Sequence, residues 1–394
     1  MKIYIDTIIF NLQKSGGVSV YWYEIISRFM MDSDVELIFV DSGKPKENIL
    51  YKKLDLSGIK IIKYNKIYNR YRAVNYSENK KHIFISTYYR YSKNKSAVNI
   101  TLIHDFTYEY FSKGLKLFIH HRQKNTAIKK SEKLICISHN TKSDLLKFCS
   151  KEAKDKEIVV IYNGVSDVYK TLNQDELKEV EDKNEFLKNI KSPFVLFVGA
   201  RSGYKNWISA VELFKKMPRE YFMISVGGPP LDETEKKLLA TDIRRHTYIP
   251  PVSNEILVYL YNKTECLLYL SDYEGFGIPV VEAQKCGCPV IAKPVSSIPE
   301  VSGGGVLFFE EDTNIDEVKN FISRKHNNTL RTMSKNGYSQ EDFSDDDQRR
   351  QIPSVKMPPK GDIDLNLETA PRLHALDFSW DKCYNELKIF LAKL

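Results

Sequence analysis

The order of apolar runs along the chain predicts an α/β protein made of two doubly wound, parallel-stranded units. Short buried-strand runs alternate with helical stretches from the first residues to beyond residue 320. Strands repeatedly deliver into glycine-bearing turns that open helices, as at Gly16 and Gly17, at F-V-L-F-V-G-A-R and at Y-E-G-F-G-I-P-V. A length of 394 residues is enough for two domains of ordinary size, each with its own core.

The elements follow in order. K-I-Y-I-D reads as a strand, Gly16 and Gly17 as the turn, Y-W-Y-E-I-I-S-R-F-M as a helix, and V-E-L-I-F-V as the strand that closes the first βαβ unit. Residues 43–80 are polar, basic and without a clean period, so loops and short elements are expected there. H-I-F-I-S and V-N-I-T-L-I-H-D are buried-strand candidates, and the second ends at His104 and Asp105. The helical L-K-L-F-I-H-H-R-Q-K-N-T-A-I-K-K, the strand K-L-I-C-I, the serine-capped S-H-N-T-K-S-D-L-L-K-F and the strand I-V-V-I-Y-N-G-V complete the first unit. A charged connection, 171–192, leads to F-V-L-F-V. Arg201 and Lys205 then stand four apart before the helix N-W-I-S-A-V-E-L-F. M-I-S-V-G-G, a helix after Leu231, H-T-Y-I-P, S-N-E-I-L-V-Y-L-Y and E-C-L-L-Y-L lead to the stretch Tyr269 to Pro289. Here Pro279 starts a helix that ends before Gly287. After it, Ser297 reads as a cap and Pro299 as the start of a short helix.

The Tyr269–Pro289 stretch carries the most chemistry. A strand running into a Gly-rich turn and a helix presents free backbone N–H groups and a positive helix end to an anion. Glu274 and Glu282, at the two ends of that turn and helix, cannot bind the same anion, and sugar or ribose hydroxyls suit them as donors. Together these features point to a nucleotide sugar. Arg201 and Lys205 suit a diphosphate, one by fork geometry and one as a point charge. Each residue also has a plainer reading: Glu274 facing solvent, Glu282 complementing a helix dipole, two solvated cations, a structural His104, and a Gly16–Gly17 pair that only marks a turn.

Charge and cysteine content narrow the class. Residues 1–170 hold 30 Lys and Arg against 17 Asp and Glu, so the formal charge of +8 comes from the first half. An anionic membrane surface, a diphosphate-linked acceptor or a merely solvated lysine-rich face each accounts for this. Nucleic acid is not expected, because no helix-turn-helix, RRM or zinc pattern accompanies the charge. The six cysteines, at 136, 149, 266, 286, 288 and 383, form neither a CxxC pair nor a disulfide framework, and reduced thiols are expected. No apolar run approaches the ~18 residues that span a bilayer. The N-terminus lacks the layout of a signal peptide, and a cytoplasmic location is expected, with peripheral contact to the inner face of the cell membrane.

The spacing Glu274-x7-Glu282, with V-G-A-R-S-G-Y-K-N, L-I-H-D-F-T-Y-E, I-S-H-N-T and the Gly16–Gly17 loop, resembles the retaining two-domain glycosyltransferases of the GT-B type, family 4, which includes many bacterial polysaccharide and O-antigen enzymes. The resemblance covers most of residues 1–340 and the C-terminal helix. It implies two Rossmann-like domains facing a cleft: 1–170, joined by the helix 380–394, on the acceptor side, and 190–340 binding the nucleotide sugar. It further implies that Glu274 and His104 reach the donor sugar and that Glu282 holds the ribose. Gly17, Arg201, Lys205 and the backbone of Gly275, Phe276 and Gly277 would face sugar and diphosphate, with the turn Tyr248–Pro251 near the base. No metal is expected, since Arg201, Lys205 and the helix end take the place of a cation. The implied acceptor is a saccharide or a polyprenyl-diphosphate-linked glycan. Asp105 and Glu109 are left open between orienting the strand end and touching the acceptor.

Three other readings are weighed against this one. A sugar-nucleotide epimerase of the same architecture would release free sugar. A dinucleotide oxidoreductase needs a G-x-G-x-x-G that K-S-G-G-V-S-V lacks. A non-catalytic basic module leaves Arg201, Lys205, Glu274 and Glu282 unexplained. One departure from the family pattern is a polar stretch at 345–379, flanked by the repeated D-F-S at 342–344 and 377–379, which reads as a disordered insertion.

Overall fold

A computed structural model describes residues 1–41, 47–64, 69–201, 203–310, 312–323 and 374–394. The first sheet holds seven strands: β1 (Lys2–Asp6), β2 (Glu36–Asp41), β3 (Lys60–Lys63), β4 (His82–Ser86), β5 (Ala97–Ile103), β6 (Lys133–Cys136) and β7 (Glu157–Val160), in the order β3-β2-β1-β4-β5-β6-β7. The second holds six: β8 (Phe194–Val198), β9 (Phe222–Val226), β10 (His246–Ile249), β11 (Cys266–Tyr269), β12 (Val290–Ala292) and β13 (Val306–Phe308), in the order β10-β9-β8-β11-β12-β13. All registered neighbours are parallel. Both sheets therefore reverse strand order beside their first strand. In such sheets the crevice outside the strand C-termini is where ligands bind.

The expected α/β class and the two parallel sheets are what the structure contains. The central strands are buried on both faces, β4 at all five positions, which is why they read as unbroken apolar runs. Strand β3, K-I-I-K, is an edge strand within a region expected to be loops and short elements. Its charged ends are exposed and only Ile62 is turned partly inward, so it carries no periodic signal.

The C-terminal helix Trp380–Leu391 lies on the helix Gly17–Met31 of the first sheet. Tyr384 packs edge-on against Phe29, and Arg28 pairs with Asp381 at 2.8 Å. Asp32 and Asp34 hold this helix: Asp32 accepts from Tyr384 at 2.5 Å, and both pair with Lys388. The polar stretch expected at 345–379 falls outside the described residues up to 373, but its last six residues need a correction. Ala375 and Phe378 are buried, and the Phe378 carbonyl accepts from the Val165 N–H at 3.0 Å. Phe378 also meets Phe276 and Tyr162. The segment 374–379 therefore belongs to the packed fold, held there by the buried Ala375 and Phe378. Among the described residues no helix is long and apolar enough to cross a membrane, and all six cysteines are buried and outside any disulfide.

Candidate active site

Two loops of the second sheet are tied together first. The loop after β8 places Tyr204 and Lys205, and the loop after β11 places Asp272 to Gly277. The Tyr204 carbonyl accepts from the Asp272 N–H at 2.7 Å, and the Asn206 amide donates to the Asp272 carboxylate at 2.9 Å. Asn206 takes the left-handed conformation at φ 52° and caps the helix Trp207–Lys216 through Ser209. This bracing brings Lys205 Nζ to 2.6 Å from Glu274 Oε1, with the Tyr269 hydroxyl at 3.3 Å. Two residues 69 apart in the chain thus form one ion pair, with side chains only 16% and 11% exposed.

The backbone of Glu274 is clamped as well. Its N–H donates to Ser296 Oγ at 2.8 Å, and its carbonyl accepts from Ser297 Oγ at 2.9 Å. Ser297, expected to cap a helix with its hydroxyl, stands at the start of the helix Ile298–Ser302 but makes no side-chain cap, because its hydroxyl is used on Glu274. The hold of these two serines on Glu274 was missed in the sequence, where V-S-S-I-P signals only a cap and a short helix.

Gly275 and Gly277 are required for different reasons. A Cβ on Gly275 would stand 2.0 Å from the His104 carbonyl oxygen, so the two sheets' loops could not approach. The Gly275 carbonyl accepts from Ser138 Oγ at 2.7 Å and Thr141 Oγ1 at 3.2 Å, which makes the I-S-H-N-T turn a clasp between the sheets. Gly277 caps the helix Ile278–Lys285 at φ 96°, a conformation that penalises side chains. Phe276 is buried against Tyr162 and Phe378, so its ring serves packing and leaves only its backbone to face a ligand.

Further contacts hold the two sheets in register. The Tyr273 hydroxyl donates to Asp144 at 2.8 Å and accepts from the Phe106 N–H at 3.0 Å. Glu300 accepts from the N–H groups of His139 and Asn140. Lys285, 2% exposed, donates to the Val165 carbonyl and to Asp167.

Arg201 stands in the loop after β8, as expected, but its side chain turns toward the neighbouring strand. Its guanidinium is buried, pairs with Glu235 at 2.9 Å, donates to the Gly227 carbonyl at 3.0 Å and to that of Pro229, and lies over the Tyr248 ring. The expectation of a cation projecting into the turn is corrected: Glu235 and the carbonyls of Gly227 and Pro229 just after β9 hold its guanidinium and leave Lys205 as the forward charge. Glu282 retains some solvent contact. It accepts from Tyr261 at 3.1 Å, and burial raises its pKa to about 7 against the pull of the Tyr169 and Tyr261 hydroxyls.

His104 follows the end of β5 with its ring edge-on to Tyr21. It is buried, its Nε2 has no partner among the described residues, and burial lowers its pKa to about 4, so the ring is neutral at physiological pH. A cavity of about 370 Å³ opens beside it, lined by Gln13 and Val18 around the Gly16–Gly17 loop, by Asp105, Tyr108 and Lys116, and by Tyr204 of the second sheet. Gly17 begins its helix with open space where a side chain would stand.

The role left open for Asp105 and Glu109 is divided by the structure. Glu109 turns inward and pairs with fully buried Lys124 at 2.8 Å, with His121 at 3.5 Å. Lys124 also donates to the Asp105 carbonyl at 2.9 Å. Glu109 and Lys124 therefore hold the strand end from beneath, while Asp105 lines the cavity. His120, stacked on Tyr108 at 3.8 Å, lines it too. His120 and Lys124 were hidden in a helix that reads as a solvated basic face.

Residues 178–340 match the family described as glycosyl transferases group 1. The matched stretch takes in the strands of the second sheet. Lys205, Glu274 and Glu282 all lie within the glycosyl transferase group 1 region, whereas His104 and Gly17 come from the sheet that precedes it. Among curated proteins, the chain is 28% identical to the O-antigen chain mannosyltransferase RfbU of Salmonella typhimurium, over 52% of this chain and 57% of that protein. It is 33% identical to O-antigen chain mannosyltransferase B of Escherichia coli, over 29% and 32%. The matched stretches thus span little more than half of these relatives' length at most. The whole chain superposes on Anabaena HepE, solved with UDP-glucose, at a TM-score of 0.67 and 14% identity, covering all of both chains. A sucrose-phosphate synthase from Thermosynechococcus elongatus gives 0.67 at 12% identity, covering all of this chain and 98% of the other. What is shared with these two proteins is the fold, the arrangement of two Rossmann-like parallel sheets expected of the GT-B type.

Proposed function

We propose that the protein transfers a hexose from a nucleoside-diphosphate sugar to a saccharide acceptor in surface polysaccharide assembly, with retention at the anomeric carbon. The observation that carries this reading is the cavity beside His104. It gathers the Gly16–Gly17 loop, the end of β5 and Tyr204 of the loop that carries Lys205, and Lys205 in turn holds Glu274. Lys205 neutralises the departing diphosphate with the N-terminus of the helix Ile278–Lys285 behind it. Glu274 meets the donor sugar, Glu282 accepts from the ribose hydroxyls, and neutral His104 offers its unpartnered Nε2 to the sugar. Arg201 contributes by shaping the loop around Gly227. With no carboxylate assigned as a nucleophile, the acceptor attacks from the face the diphosphate leaves. Catalysis then rests on holding both partners and on stabilising the leaving group. No metal is assigned a role.

The relatives' names favour mannose as the transferred sugar, so GDP-mannose is proposed as the donor ahead of a UDP-sugar. The aromatic first-sheet side of the cavity, with Tyr108, Phe111 and Lys116, suits the saccharide of a lipid-diphosphate-linked acceptor at the inner face of the cell membrane. The test incubates purified protein with radiolabelled GDP-mannose, UDP-glucose and UDP-galactose, with and without lipid-diphosphate saccharides. Label transferred to the acceptor from one donor is expected. Free sugar formed equally without acceptor would favour the epimerase reading and refute transfer.

A further inference from the structure

We propose that Asp144 is a positioning residue for sugar transfer, which through the Tyr273 hydroxyl sets Glu274 of the second sheet against His104 of the first. This role rests on the transfer reading above. Asp144 stands on the helix His139–Ala153 and is 5% exposed. One carboxylate oxygen accepts from the Tyr110 hydroxyl at 2.7 Å; the other accepts from Tyr273 at 2.8 Å and from the Asn140 amide at 3.1 Å. Lys147 joins through the Tyr110 hydroxyl, donating to it at 3.0 Å. Of these partners only Tyr273 comes from a loop of the second sheet.

The direction of the Tyr273 hydroxyl is fixed by its neighbours. The Phe106 N–H can only donate, so the phenol accepts from it at 3.0 Å and sends its own hydrogen to Asp144. Phe106 is two residues after His104, and Tyr273 immediately precedes Glu274. A single hydroxyl thus joins the loops that carry the two proposed sugar contacts, and Asp144 supplies the acceptor that holds it there. The start of the same helix grips the far side of Glu274, because Ser138 and Thr141 hold the Gly275 carbonyl. Positions 138, 141 and 144 recur every three residues, which places them along one side of the helix. Glu274 is therefore flanked by two ties to the first sheet while its own carboxylate meets Lys205 at 2.6 Å.

The groups proposed to hold the nucleotide and diphosphate, Lys205, Glu282 and the helix Ile278–Lys285, all belong to the second unit and lie outside this tie. Loss of the tie should slow transfer and leave nucleotide binding in place. A misplacement of about 1 Å between reacting groups can cost on the order of 10²-fold in rate.

The test compares Tyr273→Phe, Asp144→Ala and their double variant with Tyr110→Phe. Tyr273→Phe keeps the ring that packs on Tyr110, 4.9 Å between centroids, and should stay folded. With the donor that supports transfer, kcat is expected to fall roughly 10²-fold in Tyr273→Phe and in Asp144→Ala. Calorimetric affinity for GDP or UDP should stay at the wild-type value, and the double variant should be no slower than Asp144→Ala. Tyr110→Phe takes a hydroxyl from the same carboxylate without cutting the tie between the sheets. It should lower thermal unfolding about as much as Tyr273→Phe does and keep its kcat. Hydrogen exchange at the Phe106 amide should be faster in Tyr273→Phe and unchanged in Tyr110→Phe. Wild-type kcat in Tyr273→Phe would overturn the role alone, as would an equal loss in Tyr110→Phe or a nucleotide affinity that falls in step with kcat. Wild-type protein that transfers no sugar would overturn the transfer reading and this role with it, whatever exchange at Phe106 shows.

Discussion

Replacing Glu282 by Gln separates the residue's effect on stability from its proposed use in recognition. Its carboxyl pKa is raised from 4.5 to about 7, chiefly by burial. A raised carboxyl pKa means that the folded chain binds this proton more tightly than the unfolded chain does. The stabilisation is therefore complete below the unfolded value and is lost as pH rises through about 7. At roughly 1.4 kcal/mol per unit, the interval corresponds to about 3 kcal/mol, and partial solvent contact brings it nearer ~2 kcal/mol. Glu282→Gln cannot ionise, so in urea unfolding it should gain about 2 kcal/mol on the wild type near pH 8 and about nothing near pH 5. Parallel stability curves across that range would refute the assignment of burial as the cause. A calorimetric arm tests the ribose contact. Hydroxyls donating to Glu282 favour its ionised form, so binding GDP or UDP at about pH 6.5 should release up to one proton, seen as a buffer-dependent heat. Glu282→Gln should bind more weakly and abolish the release. A wild-type heat that is independent of the buffer would refute the contact.

The other predictions concern the braces around the site. Lys205→Ala should lower kcat/KM by ~10²-fold or more, as expected for a lost charge-assisted contact to a leaving group, with little change in thermal unfolding. Wild-type turnover would remove Lys205 from the mechanism. Lys124→Met leaves Glu109 buried without its cation and should cost about 3–5 kcal/mol in denaturant unfolding, which Glu109→Gln in the same chain should partly restore. Phe378→Ala should cost about 3–4 kcal/mol, because the ring is enclosed by Phe276 and Tyr162; a cost below ~1 kcal/mol would return 374–379 to a loose tail.

Local signals were enough for the α/β class, the order of most strands and the two loops with glycine, lysine and glutamate. Buried parallel strands are apolar on both faces, and strand–turn–helix junctions keep their punctuation at short range, so both are legible in sequence. The edge strand β3 was not, because exposure removes the pattern that would mark it. Tertiary structure alone decided how side chains distant in sequence pair. Arg201 and Lys205 look alike in sequence, yet Glu235 and carbonyls just after β9 take the first and Glu274 takes the second. Glu109 and Asp105, four residues apart, were separated by Lys124, whose burial among Tyr89, Phe106 and Glu109 no helical period reveals. Gly275 shows both limits. Its place in a glycine-rich turn was visible at once, but the reason no other residue fits is the carbonyl of His104, 171 positions earlier, which only the docking of one sheet on the other brings within 2.0 Å of a side chain's first atom.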